Sequence, residues 1–170
     1  MQDYITTYTK KHFTIMEPKM ADIDINDIAH ALSLMTRANG HFSQFYSVGQ
    51  HSVGCAYEAL ERGYSARVVL GCLLHDGSEA YMADITRPLK QHMSAYLVAE
   101  EKLQNMIFEK FLGQCPSEEE MAQIKSVDDA MLFHEFKCFM NEELDIPEHE
   151  ILTRPAFSTK PFEDVEEDFF

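Results

Sequence analysis

The sequence is poor in basic residues and contains no tryptophan. Its 14 Lys and Arg residues stand against 29 Asp and Glu residues, which gives a formal net charge of −15 at pH 7. This imbalance argues against binding to nucleic-acid backbones, because such binding needs Lys and Arg to displace counterions. A small anionic substrate remains compatible with it, since that ligand needs only a local cluster of positive charge or a metal ion.

Cysteine is scarce as well. The four cysteines are far apart in the sequence and form no CxxC pair, which excludes a zinc ribbon or a thioredoxin-like redox motif. Disulfides are not expected in a reducing compartment. Cys55, Cys72 and Cys138 each have apolar neighbours, and we predict that they are small core residues.

The sequence also lacks long apolar runs. No stretch approaches the roughly 20 apolar residues that a membrane helix needs, and the segment MQDYITTYTKKHF lacks the apolar centre of a secretory signal. We therefore expect a cytoplasmic protein with no membrane partner. With 170 residues, 45% of them hydrophobic, the chain is long enough for one globular domain over 1–170. Residues 141–170 form its acidic C-terminal segment.

Helical periodicity dominates the chain, whereas strand signals are sparse. Residues 1–22 are mixed and partly extended. The predicted helices begin near Asp24 or Asn26, near Ser47, near Ser65, after a break at Pro88, and at a capping box formed by Ser117 and Glu120. This pattern predicts an all-α fold, a compact bundle whose helices pack around a shared interior. For the last residues, FEDVEEDFF, two alternatives stay open: a final helix or a segment that docks on a partner.

Ionisable residues fall on the inward faces of three predicted helices. His51 lies on the apolar face of the second helix, His75 and Asp76 end the apolar run VVLGCLL, and Asp128 shares a stripe with apolar residues. An unpaired buried carboxylate is costly and tends to protonate. A metal ion accounts for all four residues together, because it requires neutral imidazoles and ionised carboxylates. We predict His51, His75, Asp76 and Asp128 as its ligands.

This ligand set combines two nitrogen donors with two oxygen donors. It suits divalent Mn, Fe, Co, Ni, Mg or Zn and does not choose among them. Four protein ligands on an octahedral ion leave two positions for water or substrate, which is typical of a catalytic metal. Each residue alone has an ordinary alternative: a hydrogen-bonded core histidine, an ion pair at a helix end, or a pairing of Asp128 with Lys125.

The order His51, His75-Asp76, Asp128 resembles the H…HD…D signature of the HD superfamily of metal-dependent phosphohydrolases. RANGHFSQFYSVGQHSV, LLHDGSEAYMADITRPLK and IKSVDDAMLFHE resemble the three segments that carry these ligands. Glu135 follows Asp128 by seven residues, as is usual in the family. The resemblance covers roughly 24–140 and implies an HD-domain bundle around a single divalent metal ion. It is closest to small bacterial and phage members, including the 5′-deoxyribonucleotidases.

The resemblance also implies roles for residues around the metal. Glu79 would act as an acid or base or orient water, and Asp84 would position the nucleophile or the substrate. Arg37 would contact the substrate phosphate, Lys90 is a weaker phosphate candidate, and His41 would line the pocket mouth. In the deoxyribonucleotidase pattern an aromatic residue follows the Arg and helps to exclude a 2′-hydroxyl. Position 38 is alanine here, so the chain lacks the residue on which deoxyribose selectivity depends in that pattern.

The leading functional prediction is hydrolysis of nucleoside 5′-monophosphates, with deoxyribonucleotides favoured, through a metal-activated water. One alternative is a nucleoside triphosphate triphosphohydrolase or pyrophosphohydrolase. A second, from another class, is a metal-binding module without catalysis, although a structural site would need neither Glu79 nor Asp84. Proteins of the family are often dimers, so the resemblance adds a homodimer as an expectation.

Overall fold

The computed structural model of the protein describes residues 3–147 and 150–170, and the chain is mostly helical within them. The helical prediction is therefore confirmed at the level of fold class. In chain order the helices are α1 (Ile25–Leu34), α2 (Val48–Glu61), α3 (Ala66–Leu74), α4 (Glu79–Met82), α5 (Arg87–Lys90), α6 (Ser94–Leu112), α7 (Glu118–Met140) and α8 (Phe162–Glu167).

A short hairpin precedes the helices. Strands β1 (Ile5–Thr6) and β2 (His12–Phe13) are antiparallel, with Ile5 opposite Phe13. Phe13 is fully buried, and its ring stacks on Tyr81 of α4 with the centroids 4.1 Å apart. The N-terminal segment, read from the sequence as partly extended, thus contributes a side chain to the helical core.

The predicted helix starts agree with the observed caps. Asp24 accepts a hydrogen bond from the Asn26 amide at the start of α1, and Ser47 accepts one from the Gln50 amide at the start of α2. Ser117 and Glu120 form the predicted capping box at the start of α7. Each cap satisfies backbone donors that have no partner within the helix, which fixes where the helix begins.

The prediction of one helix from Leu89 to the end of α6 is wrong at its start. Pro88 does not break the chain there but lies in the first turn of α5, where its missing N–H costs nothing. The chain leaves helical geometry before α6, with Met93 as the N-cap of that helix. Residues 86–89 and 91–92 are exposed, and Leu89 is 56% exposed, so a continuous helix would have almost no buried face to stabilise it here.

The centre of the molecule is α2, which packs against α1, α3, α7 and α8. Close approach between α3 and α7 depends on Gly71, because a Cβ at this position would lie only 2.6 Å from Cδ1 of Ile124. This approach brings the C-terminal end of α3 next to the middle of α7. Cys55 and Cys72 are buried as predicted, but Cys138 is exposed, because it lies on the outer face of α7.

The C-terminal segment packs back on the bundle. Helix α8 contacts α1 and α2, and Val165 and Phe169 are buried. The final-helix alternative for FEDVEEDFF is therefore the observed one. Positions 148 and 149 of the predicted acidic segment 141–170 lie outside the described residues. Among the residues that the structure does describe, none of the helices combines the length and apolarity that crossing a membrane would take.

Candidate metal centre

His51 is completely buried one turn into α2, and a carboxylate on α7 fixes its orientation. Its Nδ1 lies 2.7 Å from Oε1 of Glu135. Burial acts to raise the pKa of Glu135, but Arg37 and His51 beside it give a net lowering, so the carboxylate is ionised and can only accept. The Nδ1 of His51 is therefore the protonated nitrogen. Its Nε2 lone pair points away from Glu135, toward α3.

His75 follows the last residue of α3 and is oriented by the backbone. Its Nδ1 donates to the carbonyl oxygen of Cys72 at 2.6 Å, and a carbonyl oxygen only accepts. The Nε2 of His75 is thus the nitrogen that can bind a cation. The two Nε2 atoms of His51 and His75 lie 3.3 Å apart, so the two nitrogens face each other from different parts of the chain.

The two predicted carboxylate ligands face the same point. Oδ1 of Asp128 lies 3.2 Å from Nε2 of His51 and 3.7 Å from Nε2 of His75. Oδ2 of Asp76 lies 3.3 Å from Nε2 of His75. The structure therefore brings all four sequence-predicted donors together. Positive charge at this point, from protons on the histidines or from a bound cation, would balance the carboxylates, and this donor set fits a divalent cation.

A sulfur atom borders the same point. Sγ of Cys55 lies 3.5 Å from Nε2 of His51, and the donor atoms of His51, Cys55 and His75 all lie within 4.8 Å of one another. These three residues could hold a metal ion. Sequence reasoning assigned Cys55 to the core, and its burial agrees. The four-residue spacing from His51 places both side chains on one face of α2, but in the sequence this spacing indicates only a shared buried face and does not distinguish a ligand from a core residue.

The protonation of the histidines reflects this charge distribution. Burial lowers the pKa of His75, but the carboxylates of Asp76 and Asp128 outweigh it and raise the pKa to about 10. For His51, burial and Arg37 lower the pKa, and Glu135 and Asp128 produce a net rise. Burial acts to raise the pKa of Asp128, yet the two histidines hold it well below its usual range. The carboxylates thus attract positive charge to this point.

Arg37 contacts both a predicted metal ligand, Asp76, and the carboxylate that orients His51, Glu135. Its side chain is only 10% exposed, its Nε donates to Oε2 of Glu135 at 3.1 Å, and its Nη1 lies 3.5 Å from Oδ2 of Asp76. The guanidinium thus fixes the position of the Asp76 carboxylate relative to the Glu135 carboxylate. It also lines the cavity described next, where a planar fork of donors can bind phosphate oxygens.

A cavity of about 550 Å³ opens beside the converging donors. Its volume lies in the range of small-molecule sites. Its lining includes six sequence-predicted residues: Arg37, Asp76, Glu79, Asp84, Lys90 and Asp128. Its lining also includes the apolar residues Phe42, Ile85, Leu132, Phe136, Leu144 and Ile146. The cavity therefore offers both charged and apolar contacts to one ligand.

Two carboxyl groups in the cavity are shifted toward their protonated forms. Burial raises the pKa of Glu79, and nearby Asp76 and Asp84 raise it further. Its Oε2 is buried without a hydrogen-bond partner among the described residues, whereas Oε1 lies 3.7 Å from Nζ of Lys90. Burial also raises the pKa of Asp84. Carboxyl groups with raised pKa values in a cleft are suited to proton transfer.

Two basic residues differ from the sequence-based expectation. His41, predicted at the pocket mouth, is exposed and does not belong to the cavity wall. Arg87, which sequence reasoning did not select, does line the cavity, and its Nη2 lies 3.4 Å from Oδ2 of Asp128. The alternative pairing of Asp128 with Lys125 is not observed, since Lys125 instead pairs with Asp129 at 2.6 Å.

Comparisons with known proteins identify bacterial relatives. The chain is 41% identical over 108 residues to the uncharacterized protein YfdR of Escherichia coli, a match that covers 64% of this chain and 58% of YfdR. It is 30% identical over 106 residues to an uncharacterized protein of Rhodobacter capsulatus, covering 59% and 54% of the two chains. The chain thus spans somewhat more than half the length of the curated relatives it matches. No protein-family model matches it.

Proposed function

We propose that this protein is a metal-dependent phosphohydrolase of the HD type that hydrolyses nucleoside 5′-monophosphates, with deoxyribonucleotides as the favoured class. The observation that carries the proposal is the convergence of His51, His75 and Asp128 next to a cavity that Asp128 lines together with further acids and cations. Their donor atoms lie 3.2–3.7 Å apart. A site for an ion and a site for an anionic ligand therefore adjoin each other.

In this proposal the metal ligands are His51, His75, Asp76 and Asp128. When bound, a divalent ion at this point would polarise a phosphoryl oxygen and lower the pKa of water toward neutrality. Glu135 keeps His51 in the tautomer that offers Nε2, and the Cys72 carbonyl does the same for His75. Such supporting contacts fix the orientation of ligand imidazoles before an ion arrives.

Arg37 and Lys90 would bind the phosphate of the substrate. Arg37 is held by Glu135 and Asp76, so its direction into the cavity is fixed without substrate. Lys90 is held by Glu100, 2.6 Å from its Nζ, and lies near Glu79. Cations fixed in this way can stabilise the charge that develops on a transferring phosphoryl group without reorganising during the reaction.

Glu79 would carry the proton-transfer step, and Asp84 would orient the attacking water. The buried Glu79 has a raised pKa and one oxygen with no hydrogen-bond partner among the described residues. That oxygen is available to accept a proton from the water that attacks phosphorus. As a carboxylic acid, Glu79 can then donate the proton to the nucleoside oxygen that leaves.

The apolar residues that line the cavity suit a nucleoside. Phe42 and Phe136 are in edge-to-face contact, with centroids 5.2 Å apart, and they form part of this lining. Aromatic faces support a planar base. Ala38 also lines the cavity, at the position where the deoxyribonucleotidase pattern has an aromatic residue. The sugar preference is therefore best tested directly, by comparing ribonucleotides with deoxyribonucleotides.

A second candidate is hydrolysis of nucleoside triphosphates to tripolyphosphate or pyrophosphate. The observation that favours it is Arg87, whose side chain is 63% exposed in the cavity wall. This guanidinium adds a third cation beyond Arg37 and Lys90. A chain of phosphates offers more oxygens and more negative charge to three such cations than a single phosphate does.

A screen of nucleotides with added Mn²⁺ or Co²⁺ and product identification tests both candidates. Orthophosphate released from a nucleoside monophosphate supports the first. Tripolyphosphate or pyrophosphate released from a triphosphate supports the second. The matched control is Asp76→Ala, which removes one carboxylate ligand. If no nucleotide is hydrolysed faster by the wild-type protein than by this variant, both proposals are wrong and the alternative of a metal-binding module without catalysis is favoured.

A further inference from the structure

We propose that Cys55 is a direct ligand of the cation at this centre and gives it a sulfur donor. The consequence is a preference for thiophilic divalent ions such as zinc or cobalt over magnesium. The inference rests on the metal centre of the proposed function but not on the hydrolysis. It goes beyond the four sequence-predicted ligands, which include no sulfur.

The sulfur of Cys55 lies on the Nε2 side of the His51 imidazole. Sγ of Cys55 is 3.5 Å from Nε2 of His51 and 4.0 Å from Nδ1. The sulfur is therefore nearer to the nitrogen that presents a lone pair than to the one committed to Glu135. Because Nε2 is also the atom that His75 and Asp128 approach, the sulfur joins an existing convergence of donors.

The spacing of the donor atoms also fits a shared ion. Two ligands that meet on one ion at an angle near 109°, with bonds of about 2.0–2.1 Å to nitrogen and about 2.3 Å to sulfur, lie roughly 3.4 Å apart for two nitrogens and roughly 3.6 Å apart for nitrogen and sulfur. The observed separations are 3.3 Å between the Nε2 atoms of His51 and His75 and 3.5 Å between Nε2 of His51 and Sγ of Cys55. Asp128 lies at comparable separations, 3.2 Å and 3.7 Å from the two nitrogens.

Cys72 is buried like Cys55 but differs from it in the position of its sulfur. Both thiols are buried in the same apolar cluster, together with Val68, Ile124 and Met131. Cys72 contributes its backbone carbonyl to His75, and the structure gives its sulfur no contact with the converging nitrogens. If packing alone explained both cysteines, neither sulfur would need to face a histidine lone pair. Cys72 is therefore a matched internal control for Cys55.

Metal binding in this arrangement has a defined proton balance. The buried Cys55 carries its proton without a cation, and the sulfur–metal bond forms as that proton passes to solvent. A thiolate is a soft donor that bonds strongly to Zn²⁺ and Co²⁺ and weakly to Mg²⁺. Loss of the sulfur should therefore weaken binding of the first two ions and leave Mg²⁺ binding nearly unchanged.

Titration of the purified protein with Co²⁺ provides a test that does not depend on activity. A thiolate bound to Co²⁺ gives a sulfur-to-metal charge-transfer absorption in the near ultraviolet. We expect this band in the wild-type protein and in Cys72→Ala, and its loss in Cys55→Ala. The affinity of Cys55→Ala for Co²⁺ should fall by more than the roughly 10–100-fold that removal of a ligand's supporting contact costs.

A triple variant, Cys72→Ala with Cys115→Ala and Cys138→Ala, keeps Cys55 as its single thiol and should retain the band. This variant tests whether Cys55 binds Co²⁺ even if Cys55→Ala fails to fold. Absence of the band in the triple variant, its persistence in Cys55→Ala, or no Co²⁺ binding by the wild-type protein would each overturn the inference. If the protein hydrolyses nucleotides but shows no charge-transfer band, the proposed function is supported and the Cys55 ligand is not. If it shows the band but no hydrolysis, the Cys55 ligand is supported and the proposed function is not.

Discussion

Glu135 and His51 form the contact on which the site is organised, with 2.7 Å between Oε1 of the carboxylate and Nδ1 of the ring. The second oxygen of Glu135 accepts from Nε of Arg37 at 3.1 Å. One buried carboxylate therefore orients both a proposed metal ligand and a proposed phosphate contact. Both His51 and Arg37 depend on the negative charge of Glu135. Glu135 would therefore affect metal and phosphate binding without contacting the ion or the phosphate itself.

Glu135→Gln should weaken metal binding by about 10–100-fold. Glutamine has one acceptor and one donor group, so it cannot serve Arg37 and hold the His51 tautomer as firmly as a carboxylate does. Isothermal titration with Co²⁺ measures the change. Glu142→Gln, at an exposed position beyond α7, is the control and should bind as the wild-type protein does. Equal affinities of Glu135→Gln and wild type would contradict the orienting role.

Added metal should stabilise the fold. A ligand that binds only the folded state adds about 2.7 kcal/mol to the free energy of unfolding at a free concentration of about 100 times Kd. We expect Zn²⁺ or Co²⁺ to raise the denaturation midpoint of the wild-type protein and a chelator to reverse the effect. His75→Ala should lose this response, whereas the exposed His92→Ala should keep it. A response that persists in His75→Ala would place the ion elsewhere.

Glu79→Gln should lower kcat by about 10²–10⁴-fold, the usual contribution of a general acid–base group. Glutamine keeps the size of the side chain but cannot exchange a proton, so Co²⁺ affinity and thermal stability should change little. Steady-state kinetics on the substrate found in the nucleotide screen, together with metal titration, separate the two effects. Glu109→Gln on the exposed face of α6 is the control. Wild-type kcat in Glu79→Gln would remove this residue from the reaction.

Local features of the fold could be predicted from the sequence because their causes are local. The Ser117 box and the Ser47 cap each involve residues within three positions of one another. The break before α6 could not be predicted, because Pro88 is compatible both with a helix end and with a first helical turn. What decides between them is the exposure of residues such as Leu89, and that depends on the packing of the whole chain.

Candidate ligands could be predicted for a different reason. Charged residues on apolar helical faces conflict with burial, and this conflict is visible in the sequence for Asp128 and His51. Cys55 produces no such conflict, because a buried cysteine looks like any small core residue. Arg87 could not be selected for another reason. In the sequence it cannot be distinguished from an ordinary surface arginine, and only the structure shows that it lines the cavity. The distance of His41 from the cavity wall depends on loop geometry that spacing does not determine.

Arg87→Ala should raise KM for nucleoside triphosphates a few-fold and leave kcat nearly unchanged. An exposed charge contact is worth about 0.2–1 kcal/mol, and salt should reduce the difference from wild type because such contacts are screened. Kinetics at low and high ionic strength provide the measurement. Lys102→Ala removes an equal charge from the outer face of α6 and is the control. A rise in KM that is the same at every salt concentration would argue against an electrostatic contact.

Glu58 should make the fold sensitive to acid, at a position away from the metal centre. This buried carboxylate on α2 accepts from the Leu152 amide at 3.0 Å, from the amide and hydroxyl of Thr153, and from Nε of Arg62 at 2.8 Å. It thus ties the segment after 150 to the bundle. Burial opposes ionisation, but these donors lower the pKa of Glu58 from its ordinary 4.5 to about 2.

Because the folded-state pKa is the lower one, the unfolded chain binds more protons in acid. The stabilisation by Glu58 is fully present above about pH 4.5 and is lost as the pH falls toward 2. Glu58→Gln should reduce the free energy of unfolding at neutral pH by about 1.5–3 kcal/mol. Urea denaturation at pH 7, 4.5 and 3 should show the gap between variant and wild type narrowing in acid. Glu61, exposed on the same helix, provides the control, and Glu61→Gln should have the same free energy of unfolding as the wild type. A difference for Glu58→Gln that widens toward pH 3 would contradict the lowered pKa of Glu58.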